Sequence, residues 1–256
     1  MQTLWYAQGD VNQTREKVLP NGVVEWIFNI NTGPHLVVQA NGRPVRQLYR
    51  DSWIAGMQDM PLVIQSLAET ELFGIRFRPG GVLPFLRAPL GEFTNAVFEF
   101  DLVLGAEARR VRERLVEAAN GGLPDQFAAL ESFLLSRIDE DLLDPLVEYA
   151  ASRLTDARPP RVEPLADECG LSHKQFVARF HRAVGVPPKT LQRIARFQRT
   201  VHALASRRTP DLSGIGYEAG YSDQAHFNRD FKSLSGVSPK AYLRTRTFDE
   251  SHLIVD

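Results

Sequence analysis

Two stretches near the end of the chain carry side chains that can hydrogen-bond to the edges of nucleic-acid bases. In GYSDQAHFNRDFKSLSGVSPK (220–240), Gln224, Ala225 and Arg229 lie near the start of a potential helix, opposite its aromatic residues. Glutamine can form a bidentate pair with adenine, arginine can form one with guanine, and alanine leaves room for the methyl group of thymine. These residue types predict a helix face that reads DNA sequence.

A similar framework occurs about fifty residues earlier, in GLSHKQFVARFHRAVGVPPK (170–189). The outward positions there carry Lys174, Val177 and Ala178, which are less suited to hydrogen-bonded readout. The repeat matches Gly170, Ser172, Phe176, Phe180, Gly185, Val186, Pro188 and Lys189 with Gly220, Ser222, Phe227, Phe231, Gly236, Val237, Pro239 and Lys240. A duplicated helix-turn-helix can place two reading helices in successive major grooves of DNA.

Local rules suggest how each unit holds its reading helix. Gly170 and Gly220 are expected at the turns, where a residue with little or no side chain is needed. Ser172 and Ser222 are expected to cap the helices by accepting hydrogen bonds from free amide groups. The aromatic pairs of each helix are expected to pack into the core.

A long helix is predicted between the two units, from Pro188 to about Ala205. Its apolar residues recur at spacings of three and four, and it would span roughly 25 Å, on the scale of one DNA turn of roughly 34 Å. Residues placed where they would contact DNA phosphates are Ser172, Arg179, Arg182, Arg193, Arg196, Ser222 and Lys240.

The charge of the chain is divided unevenly. Residues 141–248 hold 17 Lys and Arg against 11 Asp and Glu, whereas residues 1–140 hold 13 against 17. A cationic segment in a chain of net charge −1 favours binding to phosphates, because each neutralised phosphate releases condensed counterions. A solvated basic surface without a partner is the alternative.

The composition excludes several classes of protein. A content of 43% hydrophobic and 24% charged residues is typical of a soluble globular protein, and neither a long apolar run nor a signal sequence is evident, so a cytoplasmic location without a membrane partner is expected. The single cysteine, Cys169, cannot form an internal disulfide and is expected to be a buried packing residue. The six histidines show no ligand spacing, so neither a metal nor another cofactor is expected.

The first part of the chain is predicted to be rich in β-strands, as a barrel or a sandwich. Two amphipathic helices follow, starting near Ala106 and Pro124, and these are expected to close the barrel or to form a dimer seam. The overall prediction is an α+β protein: a β-rich, barrel-like regulatory or dimerisation domain with two following helices (1–138), then an all-α domain of two helix-turn-helix units joined by a linker helix (141–248). The strands are predicted in segments 23–30, 35–40, 45–49, 61–67, 71–77 and 96–104.

Residues 141–246 resemble the DNA-binding domain of the AraC/XylS family of bacterial transcription regulators. The most specific match is IGYEAGYSDQAHFNRDFKSLSGVSPKAYL (215–243), and LADECGLSHKQF (165–176) and FHRAVGVPPKTL (180–191) match more loosely. By position, the resemblance implies base-reading roles for Lys174, Val177, Ala178, Gln224, Ala225 and Arg229. This sequence departs from the family pattern at Ala178, where many relatives carry arginine.

The N-terminal part is similar to the β-rich, sensor-like domain of some family members, through FGIRFRPGG (73–81) and PLGEFTNAVFEFD (89–101). Arg76 and Arg78 alternate on one predicted strand and can bind an anionic effector, or they can form ion pairs with Glu71, Glu92 or Glu99 on the surface of the barrel. Trp26 is a candidate for the wall of an effector pocket or for the core.

The leading hypothesis is a sequence-specific, effector-responsive transcription regulator with no catalytic residues. Its candidate partners are double-stranded DNA, RNA polymerase, a small-molecule effector and a second copy of the chain. The alternatives are a constitutive DNA-binding regulator and, less favoured, an N-terminal enzyme fused to a DNA-targeting module.

Overall fold

The protein is described from a computed structural model over residues 1–9, 15–31, 33–40, 42–207, 210–245 and 250–255. The predicted β-rich N-terminal part is confirmed. The strands are β1 Thr3–Gly9, β2 Arg15–Val18, β3 Val24–Asn29, β4 His35–Ala40, β5 Arg43–Tyr49, β6 Ser52–Ala55, β7 Leu62–Ser66, β8 Thr70–Phe77, β9 Val97–Glu99 and β10 His252–Val255.

These strands form two antiparallel five-stranded sheets, ordered β1-β8-β3-β6-β9 and β10-β2-β7-β4-β5. Within the described residues no hydrogen-bonded ladder joins the two sheets, so they do not form a closed barrel. Tyr49, Trp53 and Leu62 are buried in an apolar cluster to which both sheets contribute, and the Tyr49 hydroxyl donates a 2.9 Å hydrogen bond to the carbonyl of Val97.

Eleven helices occur among the described residues. They are α1 Leu83–Leu86, α2 Phe100–Leu104, α3 Ala106–Glu117, α4 Leu123–Arg137, α5 Pro145–Thr155, α6 Val162–Glu168, α7 His173–Val184, α8 Pro188–Ser206, α9 Leu212–Glu218, α10 Gln224–Ser235 and α11 Pro239–Thr245. Short 3₁₀ turns occur at Leu90–Phe93, Ala118–Gly121 and Glu140–Leu142.

The predicted strand over 96–104 is wrong beyond Glu99, because α2 begins at Phe100. Phe100 and Leu104 are buried, while Leu102 is 76% exposed. A strand would direct all three side chains to one face, whereas a helix buries the first and third and leaves the second in solvent. The alternation of apolar residues was therefore compatible with either element.

The hydrophobic core is continuous from the N-terminal sheet into the first helix-turn-helix unit. It surrounds Trp26, whose ring lies 4.9 Å from Phe77 and 5.0 Å from Phe100, and it extends through Phe176 to Leu191. A second core begins one turn further along α8 and contains the buried residues of the second unit. The predicted domain boundary at 138–141 falls beside the 3₁₀ turn Glu140–Leu142 and remains a prediction. The predicted end of the second domain, at residue 248, lies outside the described residues.

The end of the chain returns to the N-terminal part. β10 pairs antiparallel with β2, and the amide of Leu19 donates a 2.8 Å hydrogen bond to the carbonyl of Ser251. Leu253 and Leu19 are both buried in the second core. This strand could not be predicted, because four residues are too few to show a period. Among the described residues, no helix is long and apolar enough to cross a membrane.

Candidate nucleic-acid interface

The first reading helix, α7, begins at a capping box. Ser172 accepts a hydrogen bond from the amide of Gln175, and the Gln175 side chain accepts one from the Ser172 amide. This reciprocal pair satisfies two backbone donors that the first turn would otherwise leave free. The predicted cap at Ser172 is confirmed.

The second reading helix, α10, is capped differently from the prediction. Asp223 is the cap and accepts a 2.7 Å hydrogen bond from the amide of His226, whereas Ser222 donates its hydroxyl to the Asp223 carboxylate. This backbone hydrogen bond, followed by the bond from Ser222, lowers the pKa of Asp223. The prediction of Ser222 as cap is wrong because an aspartate one residue later competes for the same position, and a carboxylate near a helix N-terminus also interacts favourably with the helix dipole.

The turn glycines are required for a reason other than space. Gly170 and Gly220 have φ angles of +68° and +87°, and a Cβ atom at either position would meet nothing within 4 Å. Side-chain-bearing residues rarely adopt this left-handed region. The expected need for a small residue is thus a need for backbone freedom.

The outward face of α10 is available to a partner. Gln224, Ala225 and Arg229 are all exposed. The Gln224 side chain donates a 3.2 Å hydrogen bond to Asn228 on the same face, and Arg229 makes no ion pair within the described residues. The fold therefore brings the three predicted base-reading residues of this helix together at its first two turns.

The outward face of α7 is less free. Lys174 and Ala178 are exposed and Val177 is half-buried. The Arg179 guanidinium binds both carboxylate oxygens of Asp144, at 2.7 and 3.0 Å, and so ties α7 to the start of α5. This ion pair raises the pKa of Arg179.

The C-terminal half of α7 lies against the N-terminal part of the chain. The Thr94 hydroxyl donates a hydrogen bond to the carbonyl of Gly185, and a Cβ atom at Gly91 would lie only 2.7 Å from Cε1 of His181. Arg182 and Ala178 line a cavity of about 560 Å³ that also involves α1 and the Glu140–Leu142 turn. The first reading helix is therefore in direct contact with the predicted regulatory part.

Arg193 and Arg196 of α8, predicted to contact phosphates, both form ion pairs with Asp230 of α10. Asp230 is 8% exposed, and the Arg196 guanidinium lies 4.4 Å from the centre of the Tyr221 ring. Burial and the Asp230 carboxylate raise the pKa of Tyr221 to about 12. These arginines hold the second reading helix against α8, and their contact with phosphates remains a prediction.

The other predicted phosphate contacts are exposed: Arg182 in the last turn of α7, Ser222 before the cap of α10, and Lys240 at the start of α11. Sequence reasoning missed Asp144 and Asp230, the carboxylates that hold the two reading helices. Asp144 has a detectable signal, since it precedes a proline at the start of a helix, where caps are expected. Asp230 has none, because its partners lie in another helix.

The predicted effector residues do not form one site. Arg76 forms an ion pair with Glu25 at 2.8 Å, and Arg78 forms one with Glu148 of α5 at 2.9 Å. Trp26 is fully buried in the aromatic core, so a ligand reaches it only if that core rearranges. Both arginines form ion pairs, but the predicted partners Glu71, Glu92 and Glu99 are wrong, because β8 pairs with β3 and Arg78 lies against α5.

Comparison with known proteins agrees with this geometry. A family model described as a helix-turn-helix domain matches residues 165–245, and one described as a domain of unknown function, DUF6597, matches residues 1–99. No curated protein sequence matches the chain significantly.

Solved structures share the whole fold. ToxT from Vibrio cholerae bound to an unsaturated fatty acid aligns over 95% of each chain, with a TM-score of 0.51 and 12% identity. ToxT bound to (E)-4-(8-methylnaphthalen-1-yl)but-3-enoic acid aligns over 95% of this chain and 99% of that one, with a TM-score of 0.50 and 12% identity. The matched residues 165–245 form a helix-turn-helix domain of the AraC type, a DNA-binding domain, built here of two units whose reading helices have exposed outward faces.

Proposed function

We propose that the chain regulates transcription by reading a specific DNA sequence with α7 and α10 in successive major grooves, under control of a small-molecule effector. The observation that carries the proposal is that one face of α10 is buried and the opposite face is exposed. Its buried face is committed to the second core, while Gln224, Ala225 and Arg229 stand exposed at its start. These residues have the chemistry of direct base readout.

The two helices are assigned different roles. We assign sequence discrimination chiefly to α10, and assign apolar contacts and phosphate binding to α7 through Lys174, Val177 and Ala178. Ser172, Arg179, Arg182, Ser222 and Lys240 remain candidates for contacts with the backbone of DNA. Arg193 and Arg196 are candidates only where their pairing with Asp230 leaves a donor free.

Control by an effector is supported by the shared core. The N-terminal sheet, helices α3–α5 and the first reading helix bury their apolar residues in one cluster, so a change in the N-terminal part alters the surroundings of α7. ToxT, whose fold this chain shares, has been solved with a fatty acid bound. Contacts with RNA polymerase and with a second copy of the chain stay predictions.

The test is selection of bound sequences from random DNA, followed by affinity measurements on the Arg229→Ala variant. We expect this variant to lose about 1–3 kcal/mol of specific binding and to relax one base position, because a bidentate pair to guanine is removed. Lys232→Ala, on the last turn of the same helix, removes an equal charge and serves as the control. Unchanged base discrimination by Arg229→Ala would refute the assignment of α10.

A constitutive regulator is the alternative, and a thermal-shift screen against small metabolites separates the two. A ligand present at 100 times its dissociation constant stabilises the folded state by about 2.7 kcal/mol. A stabilising compound that also changes DNA affinity supports the effector-responsive form, whereas unchanged stability and DNA affinity with every compound favour the constitutive form.

A further inference from the structure

An arginine-rich cleft lies between α3 and α4, away from both reading helices. Its volume is about 360 Å³. Val111 and Phe133, both buried, form its apolar floor. The charged residues around it are Arg87, Arg110, Arg114, Arg137 and Glu107. Four guanidinium groups and one carboxylate line the cleft, and Asp139 lies 3.6 Å from Arg87, which leaves an excess of two positive charges.

Two of these arginines have a carboxylate partner, Arg137 in Glu107 and Arg87 in Asp139. Arg137, whose side chain is 13% exposed, forms an ion pair with Glu107 and donates a 2.6 Å hydrogen bond to the carbonyl of Phe85. Arg110 and Arg114 are exposed and make neither an ion pair nor a side-chain hydrogen bond with another described residue. Like charges four residues apart on a helix destabilise it. An anion between them would remove that repulsion.

Arg87 is held in an unusual conformation at the edge of the cleft. Its φ angle is +59°, in the left-handed region that a residue with a Cβ atom seldom adopts. Its guanidinium donates a 3.2 Å hydrogen bond to the carbonyl of Arg137 and lies 3.6 Å from the Asp139 carboxylate. Residues kept in sparsely populated backbone regions cluster at ligand-binding sites and switches.

We propose that this cleft binds a small anion carrying two or more carboxylate or phosphate groups, and that this anion is the effector. Guanidinium groups match both kinds of oxyanion through paired hydrogen bonds. The volume is at the lower end of the range for small-molecule sites. The ligand charge is set by the two positive charges, those of Arg110 and Arg114, that Glu107 and Asp139 leave unbalanced.

The position of Arg87 connects the cleft to the DNA-binding part. Arg87 also lines the second cavity, whose lining includes Ala178 and Arg182 of α7. An anion that draws the Arg87 guanidinium into the cleft changes the charge next to the first reading helix. The effector role rests on the proposed function, whereas anion binding itself does not.

The experiment uses the full chain, with citrate and inorganic pyrophosphate as separate probes in isothermal titration calorimetry. We expect saturable binding at one site, tighter for the oxyanion class that fits the cleft, and absent with sodium chloride at matched ionic strength. Arg110→Ala and Arg114→Ala are each expected to weaken binding about tenfold or more, because each removes a charge-assisted hydrogen-bond donor. Both positions are exposed, so circular dichroism and melting temperature should stay unchanged.

Arg109→Ala is the matched control, because Arg109 lies on the same helix, is 68% exposed and is outside the cleft lining. Equal weakening by Arg109→Ala, or unaltered binding in Arg114→Ala, would show that the anion is attracted only by general charge and would overturn the proposal. Failure of both probes to bind would do the same.

Affinity for the selected DNA, measured with and without the tighter probe, tests the effector role. We expect the probe to change the affinity of the wild-type chain and not that of Arg114→Ala. An equal effect on both chains, or weaker DNA binding by Arg114→Ala without a probe, would mean that the cleft is not an effector site. The proposed function fails separately, if Arg229→Ala leaves base discrimination intact.

Discussion

The two helix-turn-helix units share a framework but are attached to the rest of the molecule in different ways. Arg179 of α7 and Asp230 of α10 occupy the same position of the repeat, directly before the second core phenylalanine, and carry opposite charges. Arg179 binds Asp144 at the start of α5, while Asp230 binds Arg193 and Arg196 of α8. Each unit fixes its reading helix with an ion pair, but to a different anchor.

The cores follow the same division. Phe176 and Phe180 belong to the cluster that fills the N-terminal sheet, whereas Phe227 and Phe231 belong to the second cluster with the outer half of α8. In the proposed function, the first unit responds to the N-terminal part, and the second reads bases while its own core supports it. The two helices are similar in sequence, and they pack into different cores.

The largest expected effect comes from core deletions at matched positions. Phe180→Ala and Phe231→Ala should each cost about 3–5 kcal/mol of unfolding free energy, because each leaves a cavity in a packed core. Hydrogen exchange should show lost protection in the N-terminal sheet for Phe180→Ala and mainly in α8–α11 for Phe231→Ala. The same pattern of lost protection in both variants would contradict the division into two cores.

The ion pairs that hold the two reading helices should differ in their contribution to stability. Asp230→Ala should cost about 2–3 kcal/mol, because it leaves two partly buried guanidinium groups without their acceptor. Arg179→Ala should cost about 0–1 kcal/mol, since that side chain is 46% exposed and its ion pair is screened by solvent. Urea denaturation of both variants checks the difference, and equal losses would show that the two anchors are equivalent.

The smallest effect concerns the caps. Ser172→Ala should cost about 1 kcal/mol, because it removes the capping box of α7. Ser222→Ala should have little effect on stability, since Asp223 caps α10, and Asp223→Ala should destabilise α10 more than Ser222→Ala does. The melting temperatures of the three variants test this. A decrease for Ser222→Ala equal to that for Ser172→Ala would show that Ser222 caps α10.

Most of the helical half could be predicted from the sequence. The linker helix, expected from Pro188 to about Ala205, is α8 at Pro188–Ser206, and the reading helices lie where the framework placed them. Periodicity, turn glycines and helix caps act over a few residues, so they can be recognised in a single sequence. The cap of α10 was misplaced by one residue, because two suitable capping residues are adjacent and local rules do not rank them.

Less of the N-terminal half could be predicted. The sequence patterns do not predict β1, β2, β6 or β10, and they predict a strand where α2 lies. Short strands are stabilised by pairing with partners distant in the chain, and a pattern such as that of Phe100 to Leu104 fits both a strand and a helix turn. The arginine-rich cleft was also hidden, since its residues come from α1, α3 and α4.

The sequence by itself determined that two similar helices carry outward residues suited to DNA and that a β-rich part precedes them. The tertiary structure alone decided that α7 is held by Asp144 and the N-terminal part, that α10 is held by α8, and that the last strand returns to the first part of the chain. The physical reason is the separation along the chain between interacting residues. Spacing within a short segment determines which residues share a helix face. The partners of buried charges and of sheet edges are determined only when distant segments pack together.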